Sequence, residues 1–462
     1  MNTAAANPSR LRKELAELTR LAVPLIGGQL AMIGTSVIDT VLAGRHGTET
    51  LAGVAIGASA WTLGFMVIAG VLLAVSPSVA QLIGSGKREQ IPALLRQAFW
   101  LAISMGIAAG IAVWHAAPLL SLAGVDPVVV TQAELFLHGI APGAPALALY
   151  FGLRGFCEGT GHTMPALIFG LLGLVLLLPL ASWLIFGGYG LQSQGAFGCG
   201  LATAIVTWLQ FFALLIYVQR RPRFHWLQPL LRLERPNYQA IAGLLAIGLP
   251  IAFALMMEGG MFIAVTWLMG RLGTLSVAAH QVAINVSSIA FMLPLGLAMA
   301  VTVRVGQARG RGDPQGLRVA AQAALILCLL CQGLSFTVMV LAAAPIASWY
   351  APGQLEVIAL ATQLIALAAV FQLSDGLQAV AAGALRGLKD TRVPMLLTAL
   401  AYWGIGMPVA WWLGFELEMG PRGLWIGFIF GLSAAAVMLI TRAWRLLWVN
   451  PQVLSVPPAA QR

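Results

Sequence analysis

Long apolar stretches alternate with short polar ones along the whole chain. Twelve apolar runs fall at 21–43, 51–75, 93–114, 128–152, 164–187, 196–217, 240–269, 275–300, 318–341, 356–384, 393–414 and 423–447. Each is long enough to cross a bilayer, which takes about 20 apolar residues in helical form. In hydrocarbon only helices and closed barrels satisfy their own backbone hydrogen bonds. Barrel strands read as ten-residue alternations of polar and apolar residues. These runs are instead continuous and rich in Leu, Ala, Val and Gly. The pattern predicts an all-α membrane protein with twelve transmembrane helices. Asp126-Pro127 and Asp313-Pro314 read as helix starts, with an N-cap followed by proline at the first helical position.

The polar intervals predict a direction. Twelve spans place both termini on one side. Of the 26 basic residues, only Arg45, Arg271 and Arg422 fall on the other side, and the remaining 23 lie with the termini. Basic loops stay in the cytoplasm, so the expected orientation has both termini cytoplasmic. The longest polar connection, Arg220 to Pro236, carries Arg220, Arg221, Arg223, Arg232 and Arg235 and reads as a linker. The resulting division is a cytoplasmic segment at 1–20, a first lobe of six helices at 21–218, a cytoplasmic linker at 219–239, a second lobe at 240–448 and a cytoplasmic tail at 449–462. The first apolar run is too long for a signal peptide, so none is expected.

The halves repeat. At a constant offset of 226, Pro24 matches Pro250, Gly44-Arg45-His46-Gly47-Thr48 matches Gly270-Arg271-Leu272-Gly273-Thr274, and Gln81, Gly84 and Gly86 match Gln307, Gly310 and Gly312. Further on, Leu153-Arg154-Gly155 pairs with Leu385-Arg386-Gly387, and Pro165, Pro179 and Trp183 with Pro394, Pro408 and Trp412. Six helices per repeat is even, so the two lobes are parallel repeats. A pair of such bundles with a cleft between them is transporter architecture.

Composition agrees. Hydrophobic residues make up 59% and charged ones 9%, against roughly 25% charged in a soluble domain. The formal charge of +10 is explained by basic cytoplasmic loops, and no nucleic-acid partner is expected. Cys328 and Cys331 form a C-x-x-C inside an apolar run, where buried small hydrophobes fit better than redox or metal chemistry. Gly84-Ser85-Gly86-Lys87 lacks the full phosphate-loop pattern and its preceding strand, so nucleotide binding is rejected. Asn285-Val286-Ser287 matches a glycosylation sequon but lies inside a span.

Three of the sixteen acids lie well inside spans: Asp39, Glu258 and Asp375. A charge at the bilayer centre costs at least ~2.5 kcal/mol, so such groups mark ion paths, or else bond a neighbouring helix. Either reading is open for each of the three. A carboxyl so placed can load and release a proton as its exposure changes, while Glu258 and Asp375 with nearby oxygens could instead hold Na⁺. No firm metal site and no cofactor are expected. Met257, Met261 and Phe262 accompany Glu258, and Phe291 and Met292 lie in the next span. Met-rich and aromatic surfaces adapt to varied ligands and attract organic cations, although ordinary helix packing produces the same pattern. His280, Gln281, Asn285 and Ser287 either line a cleft or tie helices together. Glu134 and His138 read as an interfacial pair.

At this point the chain resembles a known family. Val23-Pro24, Val37-Ile38-Asp39-Thr40, Pro77-Ser78-Val79-Ala80-Gln81, Ala278-Ala279-His280-Gln281-Val282-Ala283 and Leu385-Arg386-Gly387-Leu388-Lys389-Asp390 resemble the multidrug and toxic compound extrusion family. From about Leu15 to Trp448 the chain is similar to the bacterial NorM branch of that family. The resemblance implies a V-shaped pair of six-helix lobes in the bacterial inner membrane. It implies efflux of amphipathic, often cationic drugs by antiport with H⁺ or Na⁺. The family's cation-site acids fall on Glu258, Asp375 and Asp39. The chain departs from it at Phe371, where many NorM-type members carry tyrosine, and at Leu177 and Ala181, where relatives carry asparagines. These changes withhold oxygens from a Na⁺ ion and favour H⁺. Phe371, Gln281 and Asn285 join the candidates for a substrate surface.

Two alternatives compete. A flippase for lipid-linked or polysaccharide precursors would want basic residues inside, whereas the interior charges here are acidic. An intramembrane enzyme would need a catalytic cluster, and no His-x-x-x-His motif occurs. A channel is disfavoured by the two-bundle repeat. The expected protein is a monomer in the lipid bilayer whose partners are small-molecule drugs or organic cations.

Overall fold

The computed structural model describes residues 8–449 except 123, 189, 191 and 228–233. Arg232, Arg462, the middle of the expected linker, residues 1–7 and 450–462 therefore lie outside the described residues. Within them the chain is almost wholly helical, with twelve helices long and apolar enough to span a membrane. They are α1 Pro8–His46, α2 Thr48–Gly84, α3 Arg88–Trp114, α4 Pro127–Gly159, α5 Met164–Phe186, α6 Gly195–Arg220, α7 Tyr238–Arg271, α8 Thr274–Arg311, α9 Pro314–Leu341, α10 Leu355–Gly387, α11 Arg392–Glu416 and α12 Pro421–Val449. Short helices at Ala117–Leu122 and Ala343–Tyr350 precede α4 and α10.

Several helices outrun their apolar runs. The α1 helix begins at Pro8 and α8 continues to Arg311, because the backbone stays helical where the side chains turn polar at the membrane surface. Both expected caps are present. The carboxylate of Asp126 accepts from the Val128 N–H at 2.8 Å, and that of Asp313 from the Gly316 N–H at 2.8 Å. The repeat shows in the turns: Gly86 and Gly312 end equivalent helices with φ of +74° and +64°, a left-handed backbone that suits glycine.

Packing repeats as well. The pairs α2–α4, α4–α6, α5–α6 and α3–α4 of the first half recur as α8–α10, α10–α12, α11–α12 and α9–α10 in the second. The contacts also correct one sequence pairing. Gly159 of α4 lies against Ser76 and Val79, and Gly387 of α10 against Thr302 and Val305. Ser76 to Thr302 and Val79 to Val305 keep the offset of 226, so Gly159 corresponds to Gly387. The Leu-Arg-Gly pairing is thus one helical turn out of register: Arg154 corresponds to Ala382, and Glu158 to Arg386. The identical tripeptides overrode the four-residue slip, because Gly recurs at both registers on these helix faces.

The described chain forms two compact units. One contains residues up to Ile26, 84–86 and from Phe253 onward; the other contains 27–83 and 87–252. The start of α1 therefore belongs with the C-terminal half and the start of α7 with the N-terminal half, unlike the sequence division at 219–239. Close approaches explain this. Gly296 lies against Ile26 and Gly84 against Gln307 in the first unit, while Gly70 lies against Ala252 and Gly248 against Val71 in the other. The core of the first unit includes the aromatic cluster Phe262, Phe371, Trp425 and Phe428, with neighbouring ring centroids 5.0–5.9 Å apart. Large apolar side chains such as Val175, Trp267 and Leu330 are exposed, as expected of a surface that faces lipid.

The α11 helix is irregular. Wide π-helical turns occupy Leu400–Gly406 and Trp412–Glu416. Pro408 has no N–H to offer the carbonyl one turn back, and the wider turn accommodates the loss. It also changes the face on which Tyr402 falls.

Candidate functional site

Glu258 and Asp375 come together inside one unit. Glu258 is in the middle of α7 and Asp375 in the middle of α10, and each acts on the other electrostatically. Asp375 is 3% exposed and its Oδ1 has no hydrogen-bond partner among the described residues. Glu258 has more company. The Gln378 amide and the Tyr402 hydroxyl approach its carboxyl, and the Arg386 guanidinium acts on it from the end of α10. Tyr402 is fully buried and feels both acids. Among the described residues no basic group lies within ion-pair distance of either carboxyl. The arrangement is a pair of like charges in a place poor in water. One of them must be neutralised, by a proton or another cation, for both to remain.

Gln378 and Tyr402 escaped the sequence reading. Gln378 is three residues after Asp375 and shares its helix face, which is a usable signal. Tyr402 had none, since its approach depends on the π-helical turn of α11.

Asp39 sits in the other unit. The Thr203 hydroxyl of α6 donates to its Oδ2 at 3.1 Å, Cys199 is beside it, and its Oδ1 has no partner among the described residues. Leu177 and Ala181 are buried in the same unit, so α5 offers Asp39 no polar group at either position.

The substrate candidates divide. Gln281 is exposed and its amide donates to the Asn285 carbonyl oxygen at 3.1 Å. Asn285, Phe291, Met292, Met257 and Phe262 are half-buried. Met261 and Phe371 are each 1% exposed and are packed in the aromatic core, so neither presents a surface to a ligand. Helical spacing identified their face but not the helices that cover it. His280 is 1% exposed, 3.1 Å from the Thr266 hydroxyl and edge-on to Trp425. It ties α7, α8 and α12 together, which decides between the two readings left open for it. Cys328 and Cys331 are free thiols.

A second buried charge pair was missed. Arg154 and Glu158 of α4 are almost fully buried, with Nε donating to Oε1 at 2.7 Å. The Arg154 guanidinium also donates to Gln29 Oε1 at 2.8 Å and reaches the Met32 sulfur at 3.5 Å, both on α1. The i, i+4 spacing was the available signal, but the pair's position near the end of a span made a loop location the simpler reading.

Comparison with known proteins shows the family and the fold. The MatE family model matches the chain twice, over residues 24–183 and 250–412. The matches begin at the paired Pro24 and Pro250 and end at the paired Trp183 and Trp412. The probable multidrug resistance protein NorM of Xanthomonas campestris is 44% identical over 442 residues, covering 95% of this chain and 96% of that protein. The multidrug resistance protein PmpM of Pseudomonas aeruginosa is 43% identical over 441 residues, covering 94% and 92%. The crystal structure of the eukaryotic MATE transporter AtDTX14 superposes with a TM-score of 0.87 at 22% identity, covering 96% of this chain and 99% of the other.

Proposed function

The chain belongs to the MatE family of multidrug transporters, and on that premise we propose that it exports amphipathic, often cationic compounds by antiport against protons. The chain is a multi-pass transporter of the bacterial inner membrane and, as a member of this family, not an enzyme; the coupling ion and the route are the proposal. The observation that carries it is the Glu258–Asp375 pair, two acids from different helices of one unit, Asp375 buried and Glu258 half-buried, with no ion-paired base among the described residues. Such a pair holds a proton in one state of the transporter and releases it when the site opens to water. Substrate and proton exclude one another through the same negative charge, which is the requirement for exchange. Asp39 with Thr203 serves the other unit.

Protons are favoured over Na⁺ by Phe371 in the unit of the pair and by Leu177 and Ala181 in the unit of Asp39, whose side chains supply no oxygen. Gln378 and Tyr402 are the observation on the other side, since their oxygens stand near Glu258 and are of the kind a Na⁺ ion uses. The test is substrate movement in sealed vesicles with a pH gradient and no Na⁺, then a Na⁺ gradient and no pH difference. Movement under the Na⁺ gradient alone would replace the proton in this scheme.

The substrate surface is assigned to Gln281, Asn285, Phe291, Met292, Met257 and Phe262, and the partners to drugs or organic cations. The orientation puts both termini and the 219–239 linker in the cytoplasm, the side that carries 23 of 26 basic residues. A monomer is sufficient for this scheme.

A further inference from the structure

The repeat, aligned on its contacts, exposes an exchange of charges between the two units. In one unit Arg154 stands on α4 beside Met32 of α1 and is balanced by Glu158, one turn further along its own helix. In the other unit the corresponding positions hold Ala382, Glu258 and Arg386. The arginine has moved down one turn to the place of Glu158, and the acid has moved across to the place of Met32.

The side chain of Arg386 reverses that shift. Side chains on a helix lean toward its N-terminus, and Arg386 Nε lies 3.4 Å from the carbonyl oxygen of Ala382, one turn back. The guanidinium thus lies over the position that Arg154 occupies in the other unit. Asp375, Gln378, Ala382 and Arg386 follow one another at spacings of three and four, so they share one face of α10. No acid on α10 balances Arg386. Asp390, four residues on, is bound instead to Arg442, whose Nε donates to Oδ2 at 2.9 Å. The long contact with Ala382 is the only hydrogen bond of the Arg386 side chain among the described residues.

We propose that Arg386 is the built-in counter-charge of Glu258, a positioning residue that holds this carboxylate when the coupling site is empty and leaves Asp375 as the group that loads. The inference rests on the transport reading above and deepens it. The charged and titratable groups that face Glu258 are Asp375 and Arg386 from α10 and Tyr402 from α11. Cys328 of α9 lies near Asp375.

The test titrates Glu258 directly, by infrared difference spectroscopy of its carboxyl stretch in the purified full-length protein. The Glu258→Gln variant identifies the band. In Arg386→Gln the Glu258 band should titrate at higher pH by about one unit, the usual effect of removing an opposite charge, and Arg386→Lys should restore the wild-type midpoint. The pH profile of ethidium transport in proteoliposomes should move in the same direction. An unshifted band in Arg386→Gln, or a shift that Arg386→Lys fails to restore, overturns the proposal. If Arg386→Gln fails to fold, the double variant Glu258→Gln/Arg386→Gln should fold, because Glu258 is then no longer a carboxylate left without its counter-charge; failure of both overturns it too. If the wild type moves no ethidium or other organic cation, the transport reading fails while the spectroscopy still decides the role of Arg386.

Discussion

Removing one member of the Arg154–Glu158 pair should damage the protein far more than removing both. The side chains are 2% and 4% exposed, their contact is 2.7 Å, and Gln29 supplies a further hydrogen bond at 2.8 Å. Glu158→Leu strands a buried guanidinium; Arg154→Met strands a buried carboxylate. Breaking a buried pair from one side costs about 3–5 kcal/mol, whereas replacing both partners by apolar side chains is often neutral. Arg154→Met/Glu158→Leu should therefore lie within about 1 kcal/mol of wild type, giving a coupling of at least about 3 kcal/mol. Reversible unfolding of the purified protein in mixed micelles measures all four members of the cycle. Additivity of the single effects within about 0.5 kcal/mol would show that the two charges do not depend on each other, and the reading of this pair would be wrong.

Three further outcomes follow from other parts of the molecule. Lys389 has a left-handed φ of 61° and burial lowers its ammonium from 10.5 to about 8; the unfolded chain keeps that proton between those values, so the folded state gains stability as pH rises through the window. Lys389→Gly should stabilise the protein by roughly 1 kcal/mol from the backbone alone, with the advantage in melting temperature largest at pH 7 and smaller by pH 10; a variant that melts lower at both refutes this. Thr203→Val removes a hydrogen bond to a charged group, worth roughly 1.5–3 kcal/mol, so the pH midpoint of export should move upward by about one to two units; an unchanged profile would exclude Asp39 from coupling. Reporter fusions after Gly190 and at Arg462 should report opposite sides of the membrane, and the same side for both would break the twelve-span topology.

The spans were legible because hydrocarbon imposes a length and a composition on any helix that crosses it. Their ends were less so, since hydropathy marks the edge of the hydrocarbon and not the end of a helix such as α8, which runs on to Arg311. The repeat was legible wherever glycine and proline hold turns and kinks, from Pro24 to Gly86. It slipped by one turn at Arg154, where residue identity alone could not distinguish two registers of the same helix face. Glu258, Asp375 and Asp39 stood out by their cost in the membrane. Their neighbours did not: Tyr402 is 144 positions from Glu258 and reaches it through a π-helical turn that proline chemistry permits but does not announce. Met261 and Phe371 illustrate the converse, residues of a suitable kind on a suitable face: Phe371 is covered by Trp425 and Phe428 of α12, and the end of Met261 lies against Gly406 of α11 and Gly431 of α12.

The central claim is that Glu258 and Asp375 carry the coupling. The direct measurement is export of a fluorescent organic cation from proteoliposomes under an imposed pH gradient, for wild type, Glu258→Gln and Asp375→Asn at equal reconstituted amounts. Both substitutions keep size and polarity and remove the titrating group. The account predicts that each variant inserts and binds the cation yet no longer responds to the gradient. If both neutral variants export at the wild-type rate and with the same pH dependence, the two carboxyls are structural and the coupling site lies elsewhere.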